Sequence, residues 1–176
     1  NALTGARQKV GNYPGVTVER HSGRLVLADG RPIELVDLPG AYSLEPASPD
    51  EAVTRDVLLG KQKGERQPDA LLIVIDASNL DNHLRFCLQL IELGLPTIIA
   101  LNMVDLAKRD GLELDPRALE RELGVPVVET VAVRRRGITE LQAAVDDMLS
   151  APFCGVHERV KSDLIHLQRR ARDIAT

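Results

Sequence analysis

The chain has 176 residues, of which 44% are hydrophobic and 27% are charged, so it is long enough to form one domain with a sizeable core. Its net charge of -4 argues against a broad nucleic-acid-binding surface, because such surfaces depend on clustered lysine and arginine. Two cysteines do not make a disulfide framework, and no apolar run approaches the roughly 18 residues that span a bilayer, so we expect a soluble chain in a reducing compartment.

The first third of the chain predicts extended segments and one helix. Residues 15–20 read as a short extended segment, and two strands follow, joined by a hairpin turn at Asp29-Gly30. The polar stretch 45–68 contains one helix, and the spacing of Ser48 and Glu51 at its start is that of a capping box. A long connection of this kind is uncommon unless it moves or binds a ligand.

The rest of the chain alternates between strand and helix patterns. Three apolar runs predict strands covered on both faces, at 70–77, 96–105 and 126–133. Helical patterns lie between and after them: an apolar face from Leu84 to Leu95, a helix that starts after Asp115-Pro116 and ends at Gly124, and a face from Ile138 to Leu149. This alternation predicts right-handed crossovers and a mostly parallel α/β sheet.

Polar residues follow the predicted strands at the edge where such sheets bind ligands. One strand ends in Asp37-Leu38-Pro39-Gly40, the next in Asp76, and the third in Asn102-Met103-Val104-Asp105. Each is weak alone, because an aspartate after a strand is most often a turn former. Together they match what a guanine ring requires: an amide for its O6/N7 edge, and a carboxylate that accepts from N1–H and the 2-amino group.

The sequence resembles the G domain of the ferrous iron transport protein B (FeoB) family. The stretches that carry the resemblance are "NALTGARQKVGNYPGVTVER", "VDLPGAYSL", "IDASNLDNHL", "LGLPTIIALNMVD" and "PVVETVAVRRRGI". The resemblance covers residues 1–149 and implies a P-loop GTPase-like (Ras-like) α/β fold, with a mostly parallel sheet and one antiparallel hairpin strand.

The family's phosphate loop, G-x-x-x-x-G-K-[ST], does not occur in these 176 residues. The resemblance implies that the sequence begins after the first strand, the phosphate loop and most of the first helix, about 20 residues by typical element lengths. In the related fold that strand lies centrally, between the strand ending at Asp37 and the one ending at Asp76. Without it, both neighbours would have unpaired backbone groups, so we do not expect the sheet to survive intact.

The resemblance also implies roles on the phosphate side. Thr17 corresponds to the first switch threonine, which would close over Mg²⁺ and the γ-phosphate, although a β-branched strand residue is the plainer interpretation. Asp37 would hold a Mg²⁺-bound water, and Gly40 would donate its N–H to the γ-phosphate. The carbonyls of Gly11 and Tyr13 match positions that help to cage K⁺.

For catalysis, Ala41 stands where Ras-like enzymes carry a water-positioning glutamine. The resemblance therefore implies slow hydrolysis, with water held by backbone groups or by the acidic pair Asp50-Glu51. The alternative for this pair is a stabilising charge at the N-terminus of a helix. Thr17, Gly40 and Glu51 are the candidate catalytic residues.

On the base side, Asn102 and Asp105 would read guanine, with Met103 at a position where many GTPases place a lysine. Ala132 and Val133 belong to the third base loop, and many relatives have serine where Ala132 stands. A backbone N–H contact to guanine O6 would persist without the steadying side-chain hydrogen bond. Weak binding and fast nucleotide exchange are the expected results.

The resemblance implies a G domain at 1–150, and a linker and helix at 151–176 that are a remnant of the following helical domain. The expected activity is Mg²⁺-dependent, K⁺-assisted GTP hydrolysis at the cytoplasmic face of the bacterial inner membrane. The implied partners are GTP or GDP, the helical domain and the transmembrane part of the same transporter, and a homo-oligomer is left open. One alternative is a non-catalytic fragment or pseudo-GTPase that acts as an interaction module. A soluble GTPase of ribosome assembly or tRNA modification is disfavoured by the acidic charge and by "GNYPGVTVE".

Overall fold

The computed structural model describes residues 2–5 and 8–150 of the chain. The chain divides into two compact units, the first ending at Pro68 and the second beginning at Asp69. The strands are β1 (Lys9–Asn12), β2 (Glu19–Val26), β3 (Pro32–Asp37), β4 (Leu71–Asp76), β5 (Thr97–Asn102) and β6 (Val127–Thr130). The helices are α1 (Pro49–Leu58), α2 (Leu80–Ile91), α3 (Val104–Arg109), α4 (Pro116–Leu123) and α5 (Ile138–Ser150).

The first unit contains the antiparallel sheet β1-β2-β3. The predicted hairpin between β2 and β3 is confirmed. Its turn is closed by hydrogen bonds from the Leu27 N–H to the Arg31 carbonyl and from the Gly30 N–H to the Leu27 carbonyl, both 2.9 Å long. Gly30 has φ +85°, a conformation that glycine adopts at little cost. The sequence did not predict β1, because this short, fully exposed strand has no hydrophobic alternation.

A small hydrophobic cluster joins the sheet of the first unit to α1. Tyr13 and Val18 pack with Val53 and Val57 from α1, and Leu38 covers the group. Helix α1 begins where the capping residues predict, because the Ser48 hydroxyl accepts the Glu51 N–H at 3.2 Å. The helix that the sequence predicted within 45–68 is therefore confirmed, and its apolar face packs against residues that flank the strands.

The second unit contains the parallel sheet β4-β5-β6 with β5 in the middle. The main core lies here and includes side chains from the sheet, α2, α3 and α4. The three predicted strands are confirmed, but all end earlier than the apolar runs do, the last two by three residues. The run 96–105 leaves the sheet at Asn102 and turns into α3, and the run 126–133 leaves it at Thr130.

The architecture confirms the α/β class. The described strands form two three-stranded sheets instead of one, and in the described residues β3 pairs only with β2 and β4 only with β5. No described helix is both long and apolar enough to cross a bilayer. The predicted linker and helix at 151–176 lie outside the described residues.

Candidate functional site

The three parallel strands of the second unit end side by side. In the register of the sheet, Asp76 of β4 lies beside Asn102 of β5, and Asn102 lies beside Thr130 of β6. The three polar side chains that close these strands therefore meet at one edge, as expected of parallel strands. Asp76 turns back on its own loop, since its Oδ1 accepts the N–H of Ser78 at 2.9 Å and its hydroxyl at 2.7 Å. In the structure, Asp76 therefore acts as a turn former.

Asn102 connects β5 to the loop after β6. Its Oδ1 accepts hydrogen bonds from the Thr130 hydroxyl and from the Ala132 N–H, each 3.1 Å long. Because two donors hold the amide oxygen, the side chain can offer a ligand only the two N–H donors of its nitrogen. The structure thus fixes both the position and the hydrogen-bonding character of Asn102.

Asp105 lies in the first turn of α3, one turn beyond Asn102 in the chain. Met103 precedes the helix with φ +61°, a left-handed conformation that is uncommon for a residue other than glycine. The Asp105 carboxylate forms an ion pair with the guanidinium of Arg134, with Nη1 3.8 Å from Oδ2. Arg134 is 73% exposed and Asp105 27% exposed, so the pair is weak, and a ligand that offers N–H donors can displace Arg134.

The third loop, residues 131–136, is closed at its base. Val131 and Arg136 exchange two backbone hydrogen bonds of 3.0 and 3.3 Å. Ala132 donates its N–H to Asn102, so this N–H is already used, whereas Val133 is 92% exposed and open to a ligand. The Asn102 amide oxygen holds this loop through the Ala132 backbone.

In the first unit, an open cavity of about 350 Å³ lies beside the end of β3. Thr17 and Asp37 both line it, together with Asp50. One hydroxyl and two carboxylates are oxygen donors of the kind that Mg²⁺ takes, and Mg²⁺ sites use one or two carboxylates plus water and substrate phosphate. No cluster of three or more His, Cys, Asp or Glu side chains that could hold a metal exists in the described part of the chain. A Mg²⁺ held by these oxygens would therefore need further ligands, such as water and phosphate.

The remaining residues predicted on the phosphate side are placed as follows. Gly40 is exposed, and a Cβ added to it would meet nothing within 4 Å, so its own surroundings do not require glycine. Glu51 uses its carboxylate locally, since Oε2 accepts the Ala47 N–H at 2.6 Å. Of the acidic pair Asp50 and Glu51, only Asp50 lines the cavity.

The two residues predicted to help cage K⁺ lie at the start of the first unit. Gly11 is inside β1, opposite Arg20 of β2. The Tyr13 carbonyl accepts the Val16 N–H at 3.3 Å, while the Tyr13 N–H donates to the Val18 carbonyl at 3.0 Å. A carbonyl oxygen has two lone pairs, so this single long hydrogen bond leaves the Tyr13 oxygen able to bind a cation.

Two threonines were missed by sequence reasoning. Thr130 is 3% exposed and bonds Asn102, and Thr54 is 4% exposed and donates to the Pro39 carbonyl at 2.7 Å. In the sequence both look like ordinary β-branched residues, one ending a strand and one within a helix. The one clue in the sequence is that each threonine occupies a position where the hydrophobic pattern calls for an apolar residue. This clue indicates burial but does not identify the hydrogen-bond partner.

The similarity of this α/β architecture to solved G domains assigns the chain to the P-loop GTPase fold. A solved structure with this fold, the G domain of the T. maritima FeoB iron transporter, is 39% identical and has a TM-score of 0.74, over 85% of this chain and 87% of that chain. The family model described as Ferrous iron transport protein B matches residues 1–145. The chain belongs to the FeoB family.

Longer relatives agree with this assignment. The Fe(2+) transporter FeoB of Salmonella typhimurium is 47% identical over 150 residues, which cover 83% of this chain and 19% of the transporter. The cytosolic domain of T. maritima FeoB in its GMPPNP form is 40% identical, with a TM-score of 0.75 over 84% of this chain and 56% of that chain. The chain thus spans about a fifth of the length of the curated relatives that it matches.

Proposed function

We propose that the chain is the GTP-binding and GTP-hydrolysing domain of a bacterial ferrous iron transporter, and that it regulates the membrane part of that protein. The observation that carries the proposal is the arrangement of Asn102, whose amide oxygen is held by Thr130 and Ala132. This arrangement leaves N–H donors for a ligand, one helical turn from the Asp105 carboxylate. Family membership and the GMPPNP form of a relative support the same proposal.

On the base side, the Asn102 nitrogen would donate to the O6/N7 edge of guanine, and Asp105 would accept from N1–H and the 2-amino group. Adenine has no donors at the corresponding positions, so it would leave the carboxylate unpaired at a cost of about 1–3 kcal/mol. Val133, with Ala132, would form the loop beside the base, and Met103 would contact it without the charge of a lysine. Arg134 would have to leave Asp105 first, which fits modest affinity and fast exchange.

On the phosphate side, Thr17 and Asp37 would hold Mg²⁺, Asp37 through a water, and Gly40 would donate its N–H to the γ-phosphate. When bound, Mg²⁺ neutralises charge on the phosphate oxygens. The open space around Gly40 suits the close approach of a phosphate, which a side chain would obstruct. The carbonyls of Gly11 and Tyr13 are the proposed ligands for K⁺.

For hydrolysis, a water would attack the γ-phosphate while backbone groups and the acidic pair orient it. Asp50 lines the cavity, whereas Glu51 caps the segment before α1. The proposed contribution of Glu51 is therefore to fix the start of α1, and Asp50 is the carboxylate open to a water. With alanine at position 41, we expect slow turnover.

The proposed partners are GTP and GDP, together with the helical domain and the membrane part of the same transporter. Residues 1–150 would form the G domain at the cytoplasmic face of the inner membrane, and 151–176 would lead into the helical domain. The second candidate function is a non-catalytic interaction module.

The test is a titration with a fluorescent GDP analogue, made on this chain and on a version extended upstream through the expected phosphate loop. We expect the extended protein to bind, and Asp105→Asn to abolish binding of GDP while allowing xanthosine diphosphate, whose C2 carbonyl can accept from the new amide. The matched control is Asp110→Asn, an exposed aspartate at the end of the same helix that is paired with Arg109. If both proteins are folded and neither binds, the interaction module replaces the GTPase.

A further inference from the structure

Thr54 makes an uncommon contact for a threonine inside a helix. It lies in α1 with 4% of its surface exposed, and its hydroxyl donates to the carbonyl oxygen of Pro39 at 2.7 Å. A threonine in a helix usually bonds the carbonyl four residues earlier in its own helix. A hydroxyl has one proton, so the donation to Pro39 uses the only donor that Thr54 has.

The Pro39 carbonyl and the Gly40 N–H belong to one peptide unit. This unit is planar and, since the described residues contain no cis peptide, its C=O and N–H point in opposite directions. A hydrogen bond that fixes the Pro39 carbonyl toward α1 therefore fixes the Gly40 N–H away from α1. Nothing lies within 4 Å of the position a Gly40 side chain would take, so packing against a side chain does not set this orientation.

Helix α1, which carries Thr54, is fixed by apolar packing. Val53 and Val57, on the same buried face as Thr54, pack with Tyr13 and Val18, and Leu38 covers that cluster. Leu38 holds the chain by apolar contact one residue before Pro39, and Thr54 holds it by a polar contact at Pro39. The direction of the peptide that follows depends on the second contact, because apolar packing is not directional.

We infer that Thr54 is a positioning residue, which sets the orientation of the Gly40 N–H and so the ability of the domain to distinguish GTP from GDP. The inference rests on the proposed function, in which that N–H meets the γ-phosphate, a group that GDP lacks. Thr54 itself touches no nucleotide in this scheme. Thr54 keeps the Pro39-Gly40 peptide in the orientation that binds phosphate. Binding therefore does not have to order this peptide, which saves conformational entropy.

The experiment compares Thr54→Val, which keeps the shape and removes the donor, with Thr54→Ser, which restores the donor. Both are made in the upstream-extended protein, and affinities for GDP and for a non-hydrolysable GTP analogue are measured. We expect Thr54→Val to weaken the GTP analogue roughly fivefold, the loss of about one hydrogen bond, and to change GDP affinity by less than about twofold. Thr54→Ser should recover most of the loss.

The matched control is Thr97→Val. Thr97 is also 4% exposed and donates to a backbone carbonyl, that of Leu95, at 2.8 Å, but it begins β5 in the second unit. It should lose comparable stability and keep the GTP to GDP affinity ratio. An unchanged ratio in Thr54→Val, or an equal change in Thr97→Val, would show that Thr54 only stabilises the fold.

A measurement without nucleotide separates this inference from the proposed function. In the upstream-extended protein without nucleotide, the NMR order parameter of the Gly40 N–H should be near the value of about 0.85 typical of rigid backbone, and Thr54→Val should lower it toward about 0.6. An order parameter that stays the same in both proteins overturns the positioning role, whether or not nucleotide binds. Failure of the wild-type extended protein to bind nucleotide overturns the proposed function, and with it the discrimination between GTP and GDP.

Discussion

Tyr13 is 1% exposed, yet its hydroxyl has no hydrogen-bond partner among the described residues. Burial, with a smaller effect from the Glu65 carboxylate, raises the pKa of this phenol above its ordinary value. Its ring packs with Val18, Val53 and Val57, so the apolar part of the side chain stabilises the first unit. The hydroxyl adds a desolvation cost, and the proposed K⁺ contact uses only the backbone carbonyl.

Tyr13→Phe should therefore leave the free energy of unfolding unchanged or raise it by about 1 kcal/mol, because it removes a buried polar group that has no partner. Urea denaturation followed by circular dichroism measures the change. Tyr13→Ala is the contrasting variant and should cost about 3–5 kcal/mol through lost packing. A clear destabilisation by Tyr13→Phe would mean that the hydroxyl has a partner.

Arg20 of β2 connects this strand, through ion pairs, to β3 and to the segment that contains Glu65. Its guanidinium bonds both oxygens of Glu65, at 2.5 and 3.3 Å, and Glu34 of β3 at 3.2 Å. The side chains of Arg20 and Glu65 are 19% and 14% exposed. The bidentate geometry and the partial burial distinguish this pair from the surface ion pairs of the chain.

Arg20→Ala should destabilise the first unit by about 1–3 kcal/mol, since it leaves the Glu65 carboxylate partly buried without its partner. The control is Arg31→Ala, whose pair with Asp29 is 55% and 42% exposed and screened by solvent, so its loss should be much smaller. Thermal unfolding of the two variants compares them directly. Equal losses would show that the burial of the Arg20 pair has no energetic effect.

The loop after β6 depends on one glycine. Gly137 has φ +77°, and a Cβ added there would lie 2.1 Å from the carbonyl oxygen of Glu129. Gly137→Ala should therefore cost about 2–5 kcal/mol, combining about 1–2 for the left-handed conformation with about 1–3 for the clash. Gly111→Ala is matched in conformation, with φ +80° and open space around it, and should show only the first part. Chemical denaturation of both variants checks the difference, and similar losses would contradict the clash.

The stability of the molecule should depend on pH through Glu34. The hydrogen bond from Arg20 is the main reason that the pKa of Glu34 lies below its usual value. The unfolded chain binds a proton to this group near pH 4.3, and the folded chain does so only at lower pH. The ion pair therefore stabilises the fold fully above that value, and this contribution is lost as the pH falls through the folded pKa. Because the Glu34 side chain is 59% exposed, the effect should amount to a few tenths of a kcal/mol.

The free energy of unfolding, measured between pH 5 and pH 3, should decrease less steeply in Glu34→Gln than in the wild type. The glutamine has no carboxyl to titrate, so its part of the slope disappears. Arg20→Ala should flatten the same part of the curve, since it removes the guanidinium that shifts the pKa. Parallel curves for wild type and Glu34→Gln would contradict the shift.

Sequence reasoning recovered the elements whose signals are local. The hairpin at Asp29-Gly30, the cap at Ser48 and the helix between Asp115 and Gly124 all follow from a few neighbouring residues. The strand β1 was missed, because it has no periodic pattern and is defined by pairing with β2. The ends of β5 and β6 were placed too late, since an apolar run continues into α3 and into the loop at Ala132.

The proposed site divides in the same way. The types of residue at the strand ends could be read from the sequence, because D-x-x-G and N-x-x-D carry their chemistry in order and spacing. The sequence did not reveal which atoms of these residues are already hydrogen-bonded. The contacts of Asn102 with Thr130 and of Asp105 with Arg134 join distant parts of the chain. The neighbours Glu51 and Asp50 differ in role because Glu51 accepts the Ala47 N–H, whereas Asp50 lines a cavity.

By itself, the sequence determined the α/β class, the family and the residue types offered at each strand end, because hydrophobic period, turn residues and motif spacing are local properties. Only the tertiary structure decided which atoms are free to bind. Register sets Asn102 beside Thr130, and packing of α1 brings Thr54 to the Pro39 carbonyl. A hydrogen bond depends on distance and direction, and these arise only when remote segments have packed together.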